Sequence, residues 1–141
     1  MGIDICLECD NQELIENELR INNLDKNWRY CCQSNHYTIL QATTGWLPMM
    51  NATGAISDIE TIKHMTECVS YFIQTGEFVD DELLPQYDSK IYECFAVDLT
   101  DRHKIIDTID KEKKEEYKTI ANNLLLWLQI GIKYNAHISV F

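Results

Sequence analysis

Two stretches of strict period-two alternation lie far apart in this chain, and they constrain its fold more than any other feature. Ile3, Ile5, Leu7 and Cys9 alternate with Asp4, Cys6 and Glu8, and Ile132, Tyr134, Ala136, Ile138 and Val140 alternate with Lys133, Asn135, His137 and Ser139. Successive side chains of a strand point to opposite faces, so each stretch reads as a strand with one apolar face. A strand cannot stand alone, and these two offer each other the nearest matching surface.

Between them lie three helical patterns. Asp10 reads as the N-cap of a helix over 11–20 with Leu14, Ile15 and Leu19 on one face, ended by Asn22-Asn23. Ser57-Asp58-Ile59-Glu60 reads as a capping box whose helix runs to Thr75, is apolar along Ile59, Ile62, Val69, Phe72 and Ile73, and stops at Gly76. Asp110 reads as the cap of a helix over 111–130, apolar nearly all round from Ile120 to Ile130 and therefore the buried axis of the core.

Further strand signals come from Tyr37, Ile39 and Leu40, and from Ile91, Phe95, Val97 and Leu99, with His103 to Ile109 as a hairpin return across a Thr-Asp-Arg turn. The glycine-bounded segment 45–54 reads as a loop in spite of Trp46, Leu47, Met49 and Met50. Together these elements predict a single α+β domain over 1–141. Its small, mostly antiparallel sheet includes the N- and C-terminal strands and packs against about three helices.

With 141 residues and 45% hydrophobic composition, the chain can bury a core without metals or disulfides. Three Trp, seven Tyr and four Phe exclude a disordered acidic tail. The start MGIDICLECD has neither the basic residues nor the apolar run of a secretory signal, and no run is long enough to span a bilayer. The expected location is the cytoplasm, where the six cysteines are mostly buried thiols.

Charge is the strongest functional signal. Twenty-three acids against 12 Lys and Arg give −11, which disfavours direct contact with nucleic acid and favours a basic protein partner. The excess is concentrated: His64 to Asp101 holds nine acids and the single base Lys90, whereas Arg102 to Lys118 holds six bases and five acids. Glu77, Asp80, Asp81, Glu82 and Asp88 are therefore the expected partner-binding carboxylates, with Phe78 and Trp46 as apolar anchors. A solvated face and a core-covering loop are the bland readings of the same residues.

The catalytic motifs are weak. Cys6-Leu7-Glu8-Cys9 sits on a predicted strand, where the spacing sends the thiols to opposite faces and suits neither zinc nor a redox pair. Glu60, His64 and Cys68 share a helix face without a second converging cluster. No Gly-x-Ser-x-Gly, phosphate-binding glycine loop or His-Glu-x-x-His is present, so no catalytic residue, metal or cofactor is assigned.

In size and acidity the chain resembles, as a class, bacterial immunity proteins paired with cationic toxins, such as those of contact-dependent growth inhibition. The resemblance covers no diagnostic motif and implies toxin neutralisation by charge complementarity, for instance of a nuclease. Two alternatives stay open: a small enzyme in which one of Cys31, Cys32, Cys68 or Cys94 meets His36, His64, His103 or His137, and an acidic DNA mimic.

Overall fold

A computed structural model describes residues 4–29, 34–46, 55–56, 58–87, 98–109 and 114–140. In chain order the elements are β1 (Asp4–Glu8), α1 (Gln12–Ile21), β2 (Asn27–Arg29), α2 (Ser34–Thr44), β3 (Ala55–Ile56), α3 (Ile59–Thr75), a 3-10 turn (Asp81–Leu83), α4 (Leu99–Thr108), α5 (Lys114–Lys133) and β4 (His137–Val140). The architecture is α+β. Its antiparallel sheet has the order β2-β1-β4-β3, so the two alternating stretches pair at its centre, the second only over His137–Val140, since Ile132 belongs to α5 and Tyr134 to the turn after it.

Register follows the alternation. Leu7 pairs with Ile138, which pairs with Ile56, while Ile5 pairs with Trp28, and all five side chains are buried in one cluster with the helices. Cys6, Glu8, His137 and Ser139 lie on the opposite face. There Glu8 Oε2 accepts from Ser139 Oγ at 3.2 Å and lies 3.3 Å from His137 Nε2.

The second half of α5 is the buried axis that its composition predicts: Ala121, Leu124, Trp127, Leu128 and Ile130 are enclosed. The helix does not stop at Gly131. A Cβ at that position would stand 2.9 Å from Leu7 Cδ2, so the missing side chain serves the close approach of α5 to β1 and the helix continues to Lys133. The stop is Asn135, left-handed at φ 52°, with Ala136 N–H donating to Gly131 O and Asn135 N–H to Ile132 O. Asn23 ends α1 in the same way, as Asn22-Asn23 predicts.

Several expectations are corrected. Asn11, not Asp10, precedes α1, and the Gln12 side chain fixes the turn by accepting from Cys9 N–H and donating to Leu7 O. Leu14 is 56% exposed, off the buried face of Ile15 and Leu19. Asp58 caps α3, accepting from Glu60 N–H at 3.1 Å, and Gly76 ends that helix at φ 75° as expected.

Tyr37, Ile39 and Leu40 belong to α2, not to a strand. Residues 39–46 are all buried, so α2 shows no amphipathic period, and Thr43 and Thr44 turn their hydroxyls onto the carbonyls of Ile39 and Leu40. Residues 103–109, expected as a return strand, belong largely to α4, because Asp98 caps its first turn by accepting from Thr100 and Asp101 N–H. Ser57, Ile91, Phe95, Val97 and Asp110 lie outside the described residues. Among the described residues the α-helices are five, not about three.

Candidate functional site

The acidic segment is a built structure. Gly76 turns the chain out of α3, residues 77–80 follow without regular structure, Asp80 being extended, and the 3-10 turn comes next. Phe78 stacks on Phe72 of the core, with ring centroids 4.6 Å apart and planes 13° apart, which anchors the start of the segment. At its far end Tyr87 Oη donates to Thr44 O at 2.5 Å, and burial pushes that phenol's pKa up.

Arg102 of α4 holds the middle. Its side chain is 1% exposed, and its Nε and Nη2 donate to Ala42 O at 3.2 and 3.0 Å. Nη2 also reaches Val79 O at 2.8 Å, and Nη1 reaches Asp81 Oδ1 at 2.5 Å. Ala42 lies in the last turn of α2, where carbonyls have no partner within the helix and a cation is favoured by the helix dipole. One guanidinium therefore closes a helix end, ties down the acidic segment and finds its counter-ion there.

Asp81 is shared. Its Oδ2 lies 2.7 Å from His103 Nε2, and this hydrogen bond, seconded by Arg102, holds the carboxyl below its ordinary range. His64 Nε2 lies 2.7 Å from Leu83 O, so the 3-10 turn is bound to α3 as well as to α4.

Between the segment and α4 opens a groove of about 590 Å³ whose lining includes Phe78, Leu99 and Ile106 beneath a rim of Glu77, Asp80 and Glu82. The rim acids are exposed, and among the described residues no cation pairs with them. Lys114 and Lys118 lie near Gly76, at the Glu77 end.

The structure thus brings together five of the seven residues expected at a partner surface: Glu77, Phe78, Asp80, Asp81 and Glu82. Asp81 plays a different part, since its charge already faces Arg102 and His103. Trp46 is corrected outright. It is fully buried in the core and presents no contact surface. Asp88 lies outside the described residues, as do Leu47, Met49 and Met50.

Sequence reasoning missed Arg102, and gave His103 a functional part only as one of four histidines in the enzyme alternative, not as a partner of Asp81. Their signal was faint: a D-x-x-D pattern at Asp98 and Asp101 that starts a helix, and Arg102 four residues beyond the cap.

The cysteine chemistry is muted. Cys68 is buried near Leu83 O at 4.0 Å, and burial raises its pKa to about 11 against the opposing pull of Arg102. Cys6 is likewise raised to about 11, chiefly by burial and then by Glu8. A thiol so placed carries little thiolate at neutral pH and is a poor nucleophile. Cys9 packs against the core cluster. His36 lies against Trp28 with centroids 5.1 Å apart, and burial lowers its pKa. Among the described residues no three His, Cys, Asp or Glu converge to hold a metal, and no helix is long and apolar enough to cross a membrane. Cys31, Cys32 and Cys94 lie outside the described residues.

No protein-family model, no curated protein and no solved structure matches this chain.

Proposed function

We propose that this protein is an acidic cytoplasmic immunity- or inhibitor-type module that binds and neutralises a basic protein, such as a toxin nuclease, by charge complementarity. The observation that carries the reading is the groove rim: Glu77, Asp80 and Glu82 stand exposed and unpaired with any described cation on a segment pinned at both ends. Carboxylates on a pinned backbone meet a cationic partner without the cost of ordering the segment, and the surrounding charge of −11 steers the encounter. Lys and Arg residues that a nuclease needs for phosphate contact would be occupied by such a surface.

The enzyme alternative has one observation in its favour, the Asp81–His103 pair on the groove wall, which resembles an oriented general base. It lacks a nucleophile beside it among the described residues, and Cys68 is unsuited to be one.

The test is affinity capture from lysates of the source organism and of competing strains at low ionic strength, followed by kinetics on the captured protein. The expected result is a basic protein that is inhibited stoichiometrically. Its association rate should fall at least tenfold between about 20 and 300 mM salt. Association that ignores ionic strength would overturn the reading.

A further inference from the structure

Two places on the described surface combine exposed apolar side chains with acids. On α1, Leu14 is 56% and Ile21 72% exposed, and two of the helix's three carboxylates are engaged, Glu16 at 3.5 Å from Lys26 Nζ and Glu18 with Lys133, which leaves Glu13 alone without such a partner among the described residues. At the groove, Leu99 is 50% exposed on the wall, while Glu77, Asp80 and Glu82 have no such partners among the described residues. Apolar surface beside unneutralised carboxylate is unsuited to a purely apolar segment, which would leave desolvated charges, and to nucleic acid, which would be repelled.

What it matches is a side chain with an apolar stem and a cationic head. Lys and Arg lay their methylene stems along apolar surface while keeping the charge at a polar rim, and the groove offers Phe78 and Ile106 inside and carboxylates outside. The opening is comparable in volume to sites that enclose small ligands, roughly 300–1,000 Å³, so it admits a few side chains of a partner and not a whole domain.

Resting on the reading above, and narrowing it to one surface, we propose that the groove between the 77–83 segment and α4 is the docking site for a basic amphipathic segment of a partner protein. A Lys or Arg of that segment lies on Phe78 and Ile106 with its head among Glu77, Asp80 and Glu82. An adjacent apolar side chain of the segment covers Leu99. Asp81 is not part of the recognition: it fixes the segment through Arg102 and His103, which keeps the rim preorganised.

The experiment is an amide NMR titration of the full chain with two probes, an amphipathic Leu/Lys helical peptide and a Gly/Lys peptide of the same length and charge. It is repeated on Leu99→Ser and on the triple variant Glu77→Gln/Asp80→Asn/Glu82→Gln, all at exposed positions. Saturating shifts at Phe78, Leu99 and Ile106 are expected with the Leu/Lys peptide. The Gly/Lys peptide, and each variant with the Leu/Lys peptide, should bind about tenfold more weakly or worse.

Shifts centred on Leu14 and Ile21, or equal affinity for both peptides, would overturn the groove. The same variants are then measured against the captured basic protein. If that protein binds with salt dependence but is indifferent to Leu99→Ser, the groove fails while the inhibitor reading stands. If the peptide seats as described and no basic protein shows salt-dependent inhibition, the groove stands and the inhibitor reading fails.

Discussion

Arg102 and Asp81 form an asymmetric pair: the guanidinium is 1% exposed and the carboxylate 27%, with Nη1 and Oδ1 2.5 Å apart. The cation is enclosed by the protein and its counter-ion faces the groove, so the charge needed for the fold lies next to the charge offered to a partner. Breaking a buried pair from one side leaves the other charge without compensation, which costs more than the intact pair contributes. Arg102→Met should lower unfolding free energy by about 3–5 kcal/mol in denaturant titration, because Ala42 O and Val79 O lose this donor and Asp81 is left with His103 alone. A loss under about 1 kcal/mol would contradict the geometry.

Asp81 sets an acid limit on the same contact. Its pKa in the folded chain lies below the ordinary 3.8, through the His103 hydrogen bond first and Arg102 second. A carboxyl depressed on folding adds stability that is fully present above its unfolded pKa and disappears as pH falls through its folded value. Wild-type stability should therefore show a downward slope below about pH 4 that Asp81→Asn reduces, while Asp81→Asn is the less stable protein at pH 7. Chemical denaturation at stepped pH compares the two.

Gly131 tests the contact of α5 with the sheet. Gly131→Val places its Cβ 2.9 Å from Leu7 Cδ2 on the strand at the centre of the core, and the overpacking should cost about 1–3 kcal/mol. Gly131→Val/Leu7→Ala should recover part of that loss by making room. If the double variant is no better than the sum of the single ones, the close approach is not the cause.

Thiol labelling reads the cysteines residue by residue. With pKa values near 11, Cys6 and Cys68 hold thiolate at about one part in a thousand at pH 8, and both are buried. Iodoacetamide followed by mass spectrometry should modify them slowly in the native protein and promptly in denaturant. Fast native labelling of Cys68 would reopen the enzyme alternative.

The legible parts of this fold are those whose signal is local. The pairing of β1 with β4 was readable because alternation of Ile5 and Leu7, and of Ile138, needs only neighbouring positions to declare a face. The Asn22-Asn23 stop and the Gly76 stop were readable because left-handed residues are few. α2 was not, since a helix buried on every side has no polar stripe to mark its period, and its Thr and Ile residues favour strands by propensity. The end of α5 was read three residues short, at Ile130, because the alternation that begins at Ile132 reads locally as strand, and only the packing of Gly131 on Leu7 shows the helix running on.

The site divides in the same way. The acid-rich segment was visible as composition, and Glu77, Asp80 and Glu82 do stand at a groove. Arg102 was not, because its role depends on Ala42, Val79 and Asp81, drawn from three other parts of the chain. Trp46 was legible as apolar but not as enclosed, since exposure is a property of the assembled fold.

The central pairing of the sheet has a consequence for the time order of assembly. Glu8 and His137 meet across 129 positions, and β4 is the strand that joins β3 to β1. On the ribosome β1 has β2 alone as a described neighbour until translation reaches β4, so its other edge stays unsatisfied while the intervening residues are made. The nascent chain is therefore most open to wrong pairing before β4 appears, and closure of the sheet waits on that strand.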